Sequence, residues 1–181
     1  MKAFVTSIGE PTTDLCVWAL ERQGFEVELV KGNDLLSHKL EYIYNTADTD
    51  FLRVDADIIV NRNLTPELLD SLDKNIWWWQ FITFDWYKQD ITHSMAFIQQ
   101  PAIQPLRDNI GRFINNLRPE TESSRIKEFY NPRRMDTYSD KIMGIHGYGI
   151  TDIEPVKKLK KERKQSHLYD FELADRLDKL R

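Results

Sequence analysis

Several features are scarce in this sequence of 181 residues, and each absence excludes a class of protein. A single cysteine, Cys16, excludes an internal disulfide and a structural zinc site built from several thiolates. Its place between Leu15 and Val17 indicates a small side chain packed in the core. No apolar run is long enough to cross a bilayer, and the N-terminus lacks the basic start and apolar middle of a signal peptide. We therefore expect a cytoplasmic protein.

An excess of positive charge is also missing. The formal net charge is -4, which speaks against a dedicated nucleic-acid binder, because such proteins normally carry a strongly basic surface. Apolar residues, in contrast, are plentiful: 41% of the chain is hydrophobic and 12% is aromatic, which excludes global disorder. The length fits one domain with a sizeable core, or a small domain with an appendage.

The first third of the chain alternates between β-prone and amphipathic segments. This alternation predicts an α/β domain with a mostly parallel sheet flanked by helices. In the third strand, apolar residues lie on both sides of two aspartates, as in a central strand buried on both faces. The predicted strands cover residues 2–7, 25–30 and 51–60, and the predicted helices cover 12–24 and 35–45.

The remaining segments are less regular. A short helix should start at Thr65-Pro66, and the tryptophan-rich stretch 75–87 and residues 95–98 are strand candidates. The second half of 101–117 has helical spacing. A basic run from residue 156 leads into an amphipathic C-terminal helix. We therefore expect one domain over residues 1–155 and a basic helical tail over residues 156–181.

The strongest candidate for chemistry is the Asp-x-Asp formed by Asp55 and Asp57. In extended backbone, carboxylates separated by one residue point to the same side and can face one cation. Hard oxygen ligands suit Mg²⁺ or Mn²⁺, and ligands of open α/β sheets bind at the carboxyl ends of strands. As an alternative, either aspartate caps a turn or pairs with Arg53 or Arg62.

The order of strand, loop, helix, strand, helix and then an apolar strand with Asp55 and Asp57 resembles a known family. It is similar to the nucleotide-sugar-binding half of metal-dependent glycosyltransferases of the GT-A fold, over residues 1–150 and most clearly over 2–61. The resemblance implies transfer of a sugar from a nucleotide-diphosphate sugar, with a UDP-sugar favoured. The acceptor would be a hydroxyl on a sugar, a lipid-linked molecule or a protein.

The resemblance also implies roles for individual residues. Asp57 would be the direct metal ligand, and Asp55 would lie nearer the sugar or ribose or share the metal. Lys39, on the helix before the Asp-x-Asp strand, would reach the donor; a solvated helix lysine is the alternative. The loop after the first strand touches the nucleoside in this family, and the matching residues are Thr6, Ser7 and Glu10.

A second constellation places His146 among Gly144, Gly147 and Gly149. Glycines allow a ligand to approach the backbone closely, and neutral imidazole is a suitable third ligand for Mn²⁺. Some members of the family have a histidine near the end of the domain for this purpose, and His146 matches it by order. The alternative is a loop histidine bonded to its neighbours.

Two acids are candidates for the base that deprotonates the acceptor. Glu120 matches a late acid that serves inverting family members, although it also suits the first turn of a helix. Asp85 lies between Phe84 and Trp86, where partial desolvation would raise its pKa. The stereochemical outcome stays open.

Other functions compete with this one. A non-catalytic carbohydrate- or partner-binding module would explain the short chain and the aromatic stretch 75–87. A nucleotidyltransferase would need a glycine-rich, basic loop, whereas residues 7–11 contain one glycine and no basic residue. The basic run 157–164 fits contact with anionic lipid or acidic polysaccharide, or simply a solvated helix face.

Overall fold

The computed structural model describes residues 1–32, 35–86, 90–111 and 135–147 of the chain. Helices and strands alternate through the first half, which confirms the α/β class. The helices are α1 (Thr13–Arg22), α2 (Leu36–Thr46), α3 (Pro66–Asp70) and α4 (Gln100–Asp108). The strands are β1 (Lys2–Ser7), β2 (Glu26–Lys31), β3 (Phe51–Asp55), β4 (Ile58–Val60), β5 (Trp78–Asp85), β6 (Asp90–Ile98), β7 (Met135–Tyr138) and β8 (Gly144–His146).

The strands form one mixed sheet in the order β2-β1-β3-β6-β5-β8-β4, with β7 also pairing with β5. The part that the sequence alternation predicted, β2-β1-β3, is parallel. Beyond β3 the direction reverses, because β6 is antiparallel to both β3 and β5. The short strand β8 lies between β5 and β4, parallel to the first and antiparallel to the second.

Strand β3 is buried on both faces of the sheet. Successive side chains of β3 alternate, so that Leu52 and Val54 join the apolar cluster that includes Cys16 of α1, whereas Phe51 joins the cluster of α2 and α4. Cys16 is fully buried, as its apolar neighbours in the sequence predicted. Burial raises the pKa of the Cys16 thiol, with a smaller contribution from nearby carboxylates.

The single strand predicted over 51–60 is wrong. It is interrupted after Asp55 by a turn at Ala56 and Asp57, and β4 then starts at Ile58. Hydrogen bonds on both sides of Ala56 hold the turn: its N–H donates to the Thr6 carbonyl (2.9 Å), and its carbonyl accepts from Thr12 Oγ1 (2.9 Å). The two aspartates therefore do not share unbroken extended backbone.

Helix α4 occupies the first half of the segment 101–117, where helical spacing was predicted only in the second half. Pro101 stands in its first turn, a position that does not need a backbone N–H. Residues 112–117, Glu120 and the tail predicted over 156–181 lie outside the described residues. Within the described part, no helix is long and apolar enough to cross a membrane.

Candidate functional site

The carboxyl ends of β1 and β3 carry the first polar pair of the site. Thr6 and Asp55 are partners in the parallel register, and the Thr6 hydroxyl donates to Asp55 Oδ1 at 2.6 Å. Thr6 is 5% exposed, whereas Asp55 is only partly buried. The hydroxyl thus orients the carboxylate at the sheet edge where ligands of α/β proteins bind.

The loop after β1 is held by its own side chains. The Glu10 carboxylate accepts hydrogen bonds from the Ser7 hydroxyl (2.7 Å) and from the backbone N–H of Ile8 (2.9 Å). Gly9 has φ +97°, a left-handed conformation that favours glycine, and its N–H donates to Ser7 Oγ (3.0 Å). Glu10 therefore shapes this loop, and its predicted contact with a donor stays a prediction.

Lys39 supports the same loop from α2. Its side chain is 4% exposed, and its ammonium donates to the backbone carbonyl of Ser7 at 2.8 Å. Ser7 is itself 1% exposed. Lys39 is therefore not a solvated helix lysine, and its positive charge lies beneath the loop that follows β1.

The second part of the site joins three residues that the sequence had singled out separately. His146 Nε2 lies 3.2 Å from Asp57 Oδ2, and His146 Nδ1 lies 3.0 Å from Asp85 Oδ2. The sheet explains this contact, since His146 pairs in register with Asp85 on one side and with Ile58 on the other. The Gly147 N–H also donates to the Asp57 carbonyl at 2.8 Å.

The electrostatics of this cluster follow from its composition. Burial on its own lowers the pKa of His146, but the charges and hydrogen bonds of Asp57 and Asp85 outweigh it and raise the pKa to about 10. Without a metal ion, the imidazole is therefore protonated at neutral pH. It neutralises carboxylates that would otherwise repel each other in a partly buried site.

Gly144 allows β8 to take its place in the sheet. A Cβ at this position would lie 2.6 Å from the backbone oxygen of Ile59 on β4, closer than any side chain tolerates. Residues 144–146, part of the glycine-containing segment around His146, thus form a strand in tight contact with its neighbour. This glycine serves strand packing and places His146 beside Asp57.

The residues present fit a divalent ion held together with substrate oxygens. Within the described part of the chain, Asp57 Oδ1 is buried without a hydrogen-bond partner, which is costly for a carboxylate and favours a cation. The 3.2 Å between His146 Nε2 and Asp57 Oδ2 is close to the separation of about 3 Å between adjacent ligands of an octahedral ion with bonds of about 2.1 Å. Asp85 bonds the other imidazole nitrogen, as carboxylates do behind metal-binding histidines.

The fit is partial where Asp55 is concerned. Its Oδ1 is engaged by Thr6, and among the described residues no group of three or more histidine, cysteine, aspartate or glutamate side chains is arranged to hold a metal. A Mg²⁺ or Mn²⁺ ion at Asp57 and His146 would complete its coordination with phosphate oxygens and water, which is usual for Mg²⁺.

Sequence reasoning located most of these residues but not their connections. It singled out Asp57, Asp85 and His146, but it considered Asp85 only as a candidate acceptor base beside Glu120 and did not connect it with His146. The sequence contains only a weak indication that Asp85 contacts His146, namely that each residue follows a short β-prone segment. Only the order of strands in the sheet makes the two residues neighbours. Sequence reasoning also considered Arg53 as a partner of the aspartates, a contact that does not form among the described residues.

Comparison by sequence finds no protein-family model and no curated protein that the chain matches. Solved structures do share its fold. One is a glycosyltransferase involved in the glycosylation of the major capsid of PBCV-1, with 14% identity and a TM-score of 0.55, covering 89% of this chain and 98% of that one. Another, assigned as a glucose-1-phosphate thymidylyltransferase from Bacillus anthracis and solved with sucrose, has 10% identity and a TM-score of 0.51, covering 94% and 96%.

These likenesses define the class of fold. The chain has the mixed α/β fold of nucleotide-diphospho-sugar transferases, which glycosyltransferases and nucleotidyltransferases share. The GT-A-like architecture expected from the first 61 residues is thereby confirmed.

Proposed function

We propose that this protein is a glycosyltransferase that moves a sugar from a nucleotide-diphosphate sugar to a hydroxyl acceptor with the help of Mg²⁺ or Mn²⁺. The observation that carries the proposal is the contact of His146 with Asp57 and Asp85, beside the carboxyl ends of β1 and β3. This is the edge where α/β sheets bind nucleotides.

Each residue of the cluster has a distinct task. Asp57 and His146 would hold the cation, which when bound supplies positive charge that stabilises the departing diphosphate. Asp85 accepts the hydrogen bond from Nδ1–H and so keeps Nε2 directed toward Asp57. In this role Asp85 positions the imidazole and is not the acceptor base.

The donor would lie against the loop after β1. Asp55 Oδ1 is engaged by Thr6, so Oδ2 is the oxygen suited to accept a hydroxyl of the ribose or sugar. The Glu10 and Lys39 hydrogen bonds hold this loop in one shape before a ligand arrives, which lowers the entropy cost of binding. Glu120 stays the candidate for the acceptor base.

A nucleotidyltransferase is the second candidate, because one of the structures with this fold is assigned that activity. The loop of residues 7–11 argues against it, since it has no basic residue to bind a triphosphate. The two activities differ in their products. A glycosyltransferase releases a nucleoside diphosphate, whereas a nucleotidyltransferase consumes a nucleoside triphosphate and releases pyrophosphate.

The test is a thermal-shift screen of UDP, GDP, CDP and their sugars, with and without Mn²⁺ or Mg²⁺. A ligand that binds only the folded protein raises its Tm. We expect one nucleotide family to raise the Tm of the native chain in a metal-dependent manner. The effect should be lost in Asp57→Asn and kept in Asp70→Asn, a matched change at an exposed residue of α3.

An equal metal-dependent shift in Asp57→Asn would contradict the assignment of the metal site. If no nucleotide produces a metal-dependent shift, the transferase proposal fails and a non-catalytic binding module takes its place. For a nucleotide that does bind, chromatography of the products after incubation with its sugar, or with the matching triphosphate and a sugar phosphate, identifies the reaction.

A further inference from the structure

A buried arginine near the site has no partner among the described residues. Arg53 of β3 is 7% exposed, and its Nε and Nη1 atoms are buried without a hydrogen-bond acceptor. Among the residues that the structure describes, it forms no ion pair. Because a guanidinium stays charged at any physiological pH, this is an uncompensated buried charge, which folded proteins normally avoid.

The side chains directly opposite Arg53 on the neighbouring strands supply no acceptor. The register partners of Arg53 are Phe4 on β1 and Ala96 on β6, both apolar and buried. Arg53 lies on the sheet face that packs against α2 and α4, since Phe51 belongs to that cluster and Leu52 to the opposite one. The described surroundings of Arg53 therefore supply no acceptor for Nε and Nη1 and no carboxylate paired with the guanidinium.

The position of Arg53 relative to Asp55 suggests what neutralises it. Residues two apart on a strand share a face, and their Cα atoms lie roughly 7 Å apart. One face of β3 thus presents the guanidinium of Arg53, which can donate two parallel hydrogen bonds. Nearer the carboxyl end of the strand, the same face presents the carboxylate of Asp55, which Thr6 already orients. A ligand with an oxyanion close to a hydroxyl group matches this pair of charges.

We propose that Arg53 binds an oxyanion of the substrate, so that the site selects a ligand carrying negative charge beside a sugar hydroxyl. This inference rests on the proposed function, since it places the sugar or ribose against Asp55. The oxyanion has two sources: the diphosphate of the donor, or a carboxylate on the sugar itself. A guanidinium fork pairs with either group through two parallel hydrogen bonds.

The proposal predicts opposite effects on stability and on binding. Arg53→Met replaces the charge with an apolar side chain of similar length. The variant should therefore have a higher Tm than the native chain without ligand, because no buried charge remains unpaired. Its affinity for the oxyanion should fall about tenfold or more, because charge-assisted hydrogen bonds are lost. A merely structural arginine would give a lower Tm and unchanged affinity.

The experiment compares native protein, Arg53→Met and a control, Arg22→Met, which removes an exposed arginine that lies over the Trp18 ring on α1. Calorimetric titrations use inorganic pyrophosphate, UDP, glucuronate and, as an uncharged probe, glucose. Affinity lost for pyrophosphate and UDP identifies the diphosphate as the ligand. Affinity lost for glucuronate alone identifies a sugar carboxylate.

The proposal is overturned if Arg53→Met lowers the Tm and binds every probe within twofold of the native chain. It is also overturned if no oxyanion binds the native chain. If Arg53→Met does not fold, Arg53→Lys serves as the second variant. It keeps the positive charge but lacks the planar guanidinium, so its affinity for the oxyanion should be lower by about fivefold or more. Unchanged affinity for the oxyanion overturns the proposal. The pyrophosphate and glucuronate titrations need neither nucleotide nor metal, so their outcome is separate from that of the Asp57→Asn screen.

Discussion

The charge on His146 makes the stability of the metal-free protein depend on pH. Burial on its own lowers the pKa of His146. The charges and hydrogen bonds of Asp57 and Asp85 outweigh burial and raise this pKa from 6.5 to about 10. A pKa that is higher in the folded than in the unfolded state stabilises the fold fully below pH 6.5. This contribution is lost as the pH rises toward 10. Alkaline conditions should therefore weaken the metal-free fold well before lysines titrate.

The size of the effect follows from the shift. A difference of this size between folded and unfolded pKa corresponds to about 5 kcal/mol, or about 1.4 kcal/mol for each pH unit inside the window. This is a large part of the 5–15 kcal/mol that typically stabilises a domain. The side chain is 28% exposed, so screening by solvent leaves most of this contribution in place.

Urea unfolding at pH 6.5, 7.5, 8.5 and 9.5, with a chelator present, measures the effect. The free energy of unfolding of the native chain should exceed that of His146→Gln by an amount that shrinks by about 1.4 kcal/mol per pH unit. His38→Gln, at an exposed position on α2, is the matched control and should follow the native chain throughout. A constant difference between the native chain and His146→Gln from pH 6.5 to 9.5 would refute the reasoning.

Three further predictions concern packing and accessibility. Gly144→Ala should lower the free energy of unfolding by about 2 kcal/mol, because the new Cβ meets a backbone oxygen of β4. Gly111→Ala, whose Cβ would have open space, should change it by less than about 1 kcal/mol in the same urea titration. Thr65→Ala should cost about 1 kcal/mol, measured by thermal unfolding, because the Thr65 hydroxyl caps α3 at the Leu68 N–H (3.3 Å); an unchanged Tm would contradict this. Cys16 should react with a thiol reagent slowly in the native protein and rapidly in urea, since burial raises its pKa; fast labelling of the native chain would show that this part of the core is open.

The parallel half of the fold was predictable because its signals are local. Residues 2–7 form β1 with the predicted bounds, and α1 and α2 lie within about two residues of the helices expected from apolar spacing. Each of these elements has its own stop signal, such as Gly24 after α1. The position of the Asp-x-Asp at a sheet edge likewise follows from the apolar run that leads into it.

The rest depends on contacts between distant residues. The break after Asp55 results from hydrogen bonds to Thr6 and Thr12, which lie more than 40 positions earlier in the chain. The pairing of Asp85 with His146 joins residues 61 positions apart, and no local pattern encodes it. The sequence equally does not predict that Arg53 lacks a partner among the described residues, because this depends on which residues the neighbouring strands place beside it.

The insertion of β8 between β5 and β4 has a consequence for the order in which the protein matures. On the ribosome, the threonine and aspartate at the ends of β1 and β3 emerge and can associate early. The imidazole that joins Asp57 to Asp85 arrives only after residue 146 has been synthesised. Until then β4 has no strand on the side that β8 occupies, and the two carboxylates have no histidine between them. Nascent chains should therefore acquire the parallel half of the sheet first and the contacts of His146 with Asp57 and Asp85 in a later, separate step.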